Sequence, residues 1–171
     1  MPVLIALALI AIALFIWWRY FHVARPVIPP LVLPDNDPLM LAATEQARAT
    51  LNELRELAAA PNRGVHVKVP FVSSAGTTEF LWADLLSLES SSMKVRYITP
   101  PVTHRGRLER VHAHPLSDLV DWRVELPSGA YAGGFTMRAM FVRAREQMKD
   151  LPPELEEEEH KYGRQGFGTS D

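Results

Sequence analysis

Few residues in this chain have chemistry to offer. His112 and His114 in "VHAH" would share one face of a strand, because strand side chains alternate with a period of two. A His-x-His pair can ligate zinc or copper, but a full site needs a third or fourth ligand. There is no cysteine to supply one, and exposed strand histidines are common, so no metal site is expected. Asp121 precedes Trp122. The pair reads as a cleft carboxylate beside an aromatic floor, or as a core tryptophan beside an aspartate that caps a turn or pairs with an arginine. Arg138 falls in the first turn of a predicted helix, where a cation opposes the helix dipole. That position calls for a carboxylate partner, Asp121 or Glu79. It predicts a buried or half-buried Asp121–Arg138 pair.

The stretch "YAGGFTMR" at residues 131–138 raises a second question. Glycines before a helix can cradle a phosphate or simply let the chain turn. Phosphate loops of that kind are longer and often carry a lysine. Here the next lysine is Lys149. A structural turn through Gly133 and Gly134, with Thr136 capping the helix, is therefore expected. The chain contains no G-x-S-x-G, P-loop, HExxH or dinucleotide fingerprint, and no cofactor is expected. Its serines lie in turn-like polar runs, where serine is ordinary. An enzymatic reading would place a pocket around Glu79, Asp121 and Arg138 with a carboxylate of shifted pKa.

The elements that must position these residues follow from periodicity. The run from Val3 to Val23 is apolar except for Arg19 and His22, long enough to cross a bilayer if Arg19 snorkels. Trp17, Trp18 and Tyr20 form an interfacial aromatic band. No basic residue precedes the run and no A-x-A-like site follows it, so a retained anchor over residues 1–24 is expected rather than a cleaved signal peptide. Arg19 and Arg25 then place the C-terminal body in the cytoplasm of a cell with an inner membrane, a periplasmic body being the alternative. Residues 25–37 form a proline-rich linker with an extended bias.

A body over residues 38–149 follows. Asp37 and Pro38 start a helix whose apolar stripe is Met40, Ala43, Ala47, Leu51, Leu54 and Ala58. "VHVKVPFV" alternates as a strand with Val65, Val67, Val69 and Phe71 on one face. Its Pro70 suggests an edge or a strand end. Further strands are predicted over residues 79–90, 93–98 and 107–114 and within 115–126, and a last helix over 135–148. Short turns between successive strands predict an α+β fold, a small mostly antiparallel sheet packed by an N-terminal and a C-terminal helix. Residues 150–171 read as an acidic, disordered tail.

Composition limits the function further. The net charge is −2. Residues 64–149 carry eleven Lys/Arg against eight Asp/Glu, and residues 150–171 carry two against seven. The body is too weakly basic for a nucleic-acid surface.

"VKVPF" at residues 67–71, Glu79, Trp82, "DW" at 121–122 and "GGFTMR" at 133–138 occur in an order that resembles the YegJ-like family, a bacterial domain of unknown function. The resemblance covers residues 64–148, not the anchor. The chain departs from the family pattern between Ile98 and His114. The resemblance implies a small α+β domain without established catalysis, and some members occur near toxin–immunity systems. The binding residues expected are Glu79, Trp82, Asp121, Trp122 and Arg138. Three functions are carried forward. The first is a membrane-tethered, non-catalytic module that binds a protein partner, with the bilayer held through Val3 to Val23. The second is an immunity-type protein that neutralises a toxin at the inner membrane. The third is a small hydrolase or ligand-binding enzyme near Glu79, Asp121 and Arg138.

Overall fold

The computed structural model describes residues 36–60, 64–148 and 150–163. The predicted anchor and most of the linker lie outside these residues. Among the described residues no helix is long and apolar enough to cross a membrane.

Two short helices open the body, α1 (Pro38–Ala49) and α2 (Leu51–Ala59). Asp37 caps α1 as expected, accepting from the Leu39 and Met40 N–H groups at 2.9 and 3.2 Å. The single helix predicted from the stripe is, however, broken at Thr50. The Thr50 hydroxyl bonds back to the Gln46 and Ala47 carbonyls. The Trp122 indole N–H donates to the Ala47 carbonyl and the Thr50 hydroxyl, each at 3.1 Å. A carbonyl and a hydroxyl engaged in this way no longer favour a continuous helical ladder.

Six strands follow: β1 (Val65–Val72), β2 (Thr78–Leu88), β3 (Ser92–Tyr97), β4 (Val111–Pro115), β5 (Asp121–Glu125) and β6 (Tyr131–Gly133). A 3-10 turn at Leu116–Asp118 links β4 to β5. The strands form one sheet in the order β4-β3-β2-β1-β5-β6, and every adjacent pair is antiparallel. With helix α3 (Phe135–Gln147) and helix α4 (Pro153–Tyr162) the architecture is α+β.

The alternation read in β1 sets the core. Val65, Val67, Val69 and Phe71 are buried, and their register partners Ala83, Leu81, Trp122 and Val124 share that face. Leu54 of α2 and Ala43 and Ala47 of α1 pack against it. Each large side chain removed from water here contributes roughly 1.5–3 kcal/mol. Pro70 sits in an internal strand, but β5 pairs only with Val65 to Lys68. Pro70 therefore lies where β1 has no second neighbour, which satisfies its missing N–H.

The tail is not disordered over 153–162. Pro153 starts α4, with Glu154 and Glu156 in its first turn and His160 and Lys161 in its last, the arrangement a helix dipole favours. Leu151 and Tyr162 are buried. Arg145 of α3 pairs with Glu159 and with Glu156, so the acidic run is held against the basic helix.

Candidate functional site

Asp121 begins β5 and is fully buried. Its carboxylate accepts four hydrogen bonds, from the N–H of Trp122 (2.8 Å), Phe135 (3.0 Å) and Thr136 (2.8 Å) and from the Thr136 hydroxyl (2.6 Å). It thus caps α3 from a neighbouring strand. Burial pushes its pKa upward against these hydrogen bonds. Lys68 lies opposite in register. Burial pulls the Lys68 ammonium down, and Asp121 opposes that shift.

The expected Asp121–Arg138 ion pair does not form, and Thr136 is not the helix cap. Helical geometry explains both. Thr136 and Arg138 are two residues apart, so they leave α3 on roughly opposite sides. Thr136 turns toward Asp121. Arg138 instead donates through Nη2 to the Gly133 carbonyl and lies over the Phe135 ring, 5.0 Å from its centroid. Its buried Nε has no hydrogen-bond partner among the described residues.

Arg138 lines a cleft of about 440 Å³ along the outer edge of β6, which no described strand pairs. Thr50 and Glu53 of the α1–α2 junction border it, as do Tyr131 and Gly133 of β6, Phe135 of α3, and His160 and Tyr162 of α4. Burial lowers the Arg138 pKa, opposed by Asp121, Glu53 and Tyr162. Of the lining residues, Lys161 pairs with Glu158 and the Tyr162 hydroxyl accepts from Arg123; among the described residues no lining hydroxyl donates to a carboxylate or imidazole. A guanidinium in a half-enclosed cleft suits a carboxylate or phosphate.

Gly133 and Gly134 form the turn that leads from β6 into α3 beside this cleft. Both have positive φ, 74° and 71°. A Cβ at Gly133 would fall inside 3.0 Å of the Trp122 carbonyl and ring, and one at Gly134 inside 3.0 Å of the Tyr162 ring. Positive φ and close packing coincide at both positions.

The other expected residues lie elsewhere. Trp122 is fully buried core, so it cannot line a cleft. Glu79 pairs with Phe71, whereas Asp121 lies opposite Lys68. Three residues along and two strands across separate their Cα positions by about 14 Å, and the pleat turns the two side chains to opposite faces. Glu79 accepts from the Val102 N–H (2.7 Å) and from the N–H and hydroxyl of Thr103 (2.8 and 2.5 Å). The Thr103 hydroxyl and the backbone N–H groups hold its carboxyl below the usual range. The hydrolase cluster is therefore not brought together. Trp82 faces the other side of the sheet. The Arg123 guanidinium lies over its ring at 4.7 Å and over Tyr131 at 5.0 Å, and donates to the Tyr162 hydroxyl.

His112 and His114 point toward the core face, opposite Val95 and Met93. His114 sits between Asp118 (3.0 Å) and the Tyr97 hydroxyl (2.9 Å). Tyr97 also donates to the Pro70 carbonyl at 3.0 Å. Among the described residues no group of three or more His, Cys, Asp or Glu could hold a metal ion.

Arg123, Tyr131, His160 and Tyr162 were not legible as a group. A signal existed for α4, since Leu151, Leu155 and Tyr162 recur at helical spacing within the acidic run. No family model matches the chain, nor does any curated protein or solved structure.

Proposed function

We propose that the chain is a single-pass, membrane-anchored bacterial protein of the YegJ-like kind. Its α+β body is a non-catalytic binding module that takes a carboxylate-bearing ligand at the β6 cleft. The observation that carries this reading is Arg138. Its guanidinium is half-buried in a cleft of about 440 Å³, a volume typical of ligand sites, and among the described residues makes one hydrogen bond, to the Gly133 carbonyl. The carboxylate predicted as its partner is engaged elsewhere, with the first turn of α3. Among the described residues the guanidinium has no ion-pair partner, with Glu53 bordering the cleft as the acid on its far side. The apolar run from Val3 to Val23 supports the anchor, and Arg19 and Arg25 support a cytoplasmic body at the inner membrane.

Binding of glutarate and acetate to the detergent-solubilised full chain, followed by chemical-shift changes of arginine side-chain signals, tests the cleft. The expected result is a saturable shift of the Arg138 side-chain resonances in the parent, accompanied by backbone amide shifts at Tyr131 and Gly133 that are lost in Arg138→Gln. An Arg138→Gln protein that binds either carboxylate as the parent does would overturn it. A C-terminal topology reporter tests the compartment, and activity only on the periplasmic side would reverse the orientation.

A further inference from the structure

The β6 edge carries more information than its cation. The Leu126 N–H donates to the Ala130 carbonyl, and the Gly134 N–H donates to the Trp122 carbonyl. Both bonds point from β6 into the sheet. The described peptides are trans, and a trans peptide directs its C=O and N–H to opposite sides. The Tyr131 N–H and the Gly133 carbonyl must therefore point out of the sheet. Antiparallel alternation assigns the remaining groups. Val124 and Ala132 are register partners between those two bonds and exchange their own pair. The Tyr131 carbonyl and the Gly133 N–H consequently also face outward, into the cleft.

Of these four outward groups, one is filled. The Gly133 carbonyl accepts from Arg138. The Tyr131 N–H, the Tyr131 carbonyl and the Gly133 N–H have no hydrogen-bond partner among the described residues. The Tyr131 pair is presented as one strand presents it to the next, and the Gly133 N–H closes the edge where a φ of 74° turns the chain toward α3. The slot is bordered on one face of the sheet by Thr50 and Glu53 and on the other by His160 and Tyr162. Among the described residues no strand pairs with this edge of β6.

We infer that the β6 edge accepts an extended peptide as a seventh strand, with an acidic side chain of that peptide held by Arg138. The inference rests on the cleft reading proposed above and names its ligand class. A peptide residue opposite Tyr131 exchanges two backbone hydrogen bonds with it. The peptide residue two further along accepts from the Gly133 N–H. Arg138 marks the Gly133 end and takes the carboxylate by charge complementarity. Because Arg138 also occupies the Gly133 carbonyl, pairing cannot run on past that residue. This sets the register of the added strand and limits its length.

The test uses the full chain in detergent micelles against a displayed library of random heptapeptides. Enrichment of sequences with one Asp or Glu at a constant position is expected, and it is expected to vanish with Arg138→Gln. Synthetic enriched peptide should then lose about tenfold or more in affinity when N-methylated at the residue opposite Tyr131, and by a similar factor when its acid becomes the amide. A library without an enriched acidic position, or an N-methylated peptide that binds equally well, overturns the strand. If glutarate still shifts Arg138 in that case, the cleft reading stands and only the peptide inference falls. If neither peptide nor glutarate binds, both fall together.

Discussion

Asp121 and Thr136 hold strand and helix together: both the N–H and the hydroxyl of Thr136 donate to Asp121 Oδ2, at 2.8 and 2.6 Å. The contact spans fifteen residues and places the anionic group where the unpaired N–H groups and the dipole of α3 favour it. It also explains why Asp121 is unavailable to Arg138.

Removing that carboxylate leaves three backbone N–H groups and a hydroxyl without their acceptor in a buried site. An unsatisfied buried group costs about 1–3 kcal/mol, with partial relief where water enters. Asp121→Ala is expected to lower the unfolding free energy by about 3–4 kcal/mol in urea titrations. Asp121→Asn should cost nearly as much, because an amide N–H₂ would face the Thr136 donors. A loss below about 1 kcal/mol would mean that another group takes over the cap.

The two glycines should differ in how badly they tolerate a side chain. At Gly133 an added Cβ meets the Trp122 backbone carbonyl, and at Gly134 it meets the Tyr162 ring. Backbone cannot yield without disturbing β5, whereas a ring at the end of α4 can swing away. Both positions also carry the left-handed penalty of about 1–2 kcal/mol. Gly133→Ala is expected to abolish folding or cost more than about 3 kcal/mol. Gly134→Ala should retain the fold and free α4, which limited proteolysis between α3 and α4 would register. Equal costs at the two positions would contradict this packing.

These contrasts show which parts of the fold were legible. Val65, Val67, Val69 and Phe71 announce β1 because half its residues meet the core and half do not. Asp37–Pro38 announces α1 because capping is local chemistry. The break at Thr50 has only a weak local signal, a hydroxyl able to bond back to the Gln46 and Ala47 carbonyls. It depends on an indole N–H from Trp122, seventy-five residues away from the carbonyl that it engages. Helix α4 was hidden by its own charge, since a glutamate run reads as solvated even when Leu151 and Tyr162 are buried. The geometry that separates Arg138 from Asp121 was available in the sequence. Two residues' spacing on a helix turns Thr136 and Arg138 apart, and only one of them can face β5.

Glu79 gives an acid-side prediction. Hydrogen bonds from Thr103 and Val102 hold its folded pKa below the ordinary value of 4.5. The folded state therefore binds fewer protons than the unfolded one as pH falls through that region. The contribution of Glu79 is fully present above the unfolded pKa and is lost as pH drops toward the lower, folded pKa. Glu79→Gln should flatten the acid limb of stability against pH below about 5, as read from urea midpoints at successive pH values. It should also loosen the 102–103 loop, raising amide exchange at Val102 and Thr103. An unchanged acid limb would mean that the loop donors do not distinguish the carboxylate from the amide.

Tyr97 and Tyr162 give the complementary alkaline prediction. Burial raises both phenols to about 12, with Asp118 adding to the shift at Tyr97 and Arg123 opposing it at Tyr162. A folded pKa above the unfolded value of 10.0 means that the native state retains its protons longer. Their contribution is therefore fully present below about pH 10 and is lost as pH rises toward 12. Tyrosinate absorbance should accordingly show a late-titrating fraction that shrinks in Tyr97→Phe and again in Tyr162→Phe. The two variants should differ in what else they disturb. Tyr97→Phe removes the hydroxyl that links the Pro70 carbonyl to His114, a contact that ties β1 to the β3–β4 end of the sheet. Tyr162→Phe removes the acceptor of the Arg123 guanidinium, whose buried Nε already has no partner. Leaving a second donor of that guanidinium unmet should weaken the docking of α4. Hydrogen exchange over 153–162 is therefore expected to rise in Tyr162→Phe and to stay at the parent level in Tyr97→Phe. Equal protection of α4 in the two variants would show that ring stacking of Tyr162 on Tyr131, rather than the hydroxyl, holds the helix in place.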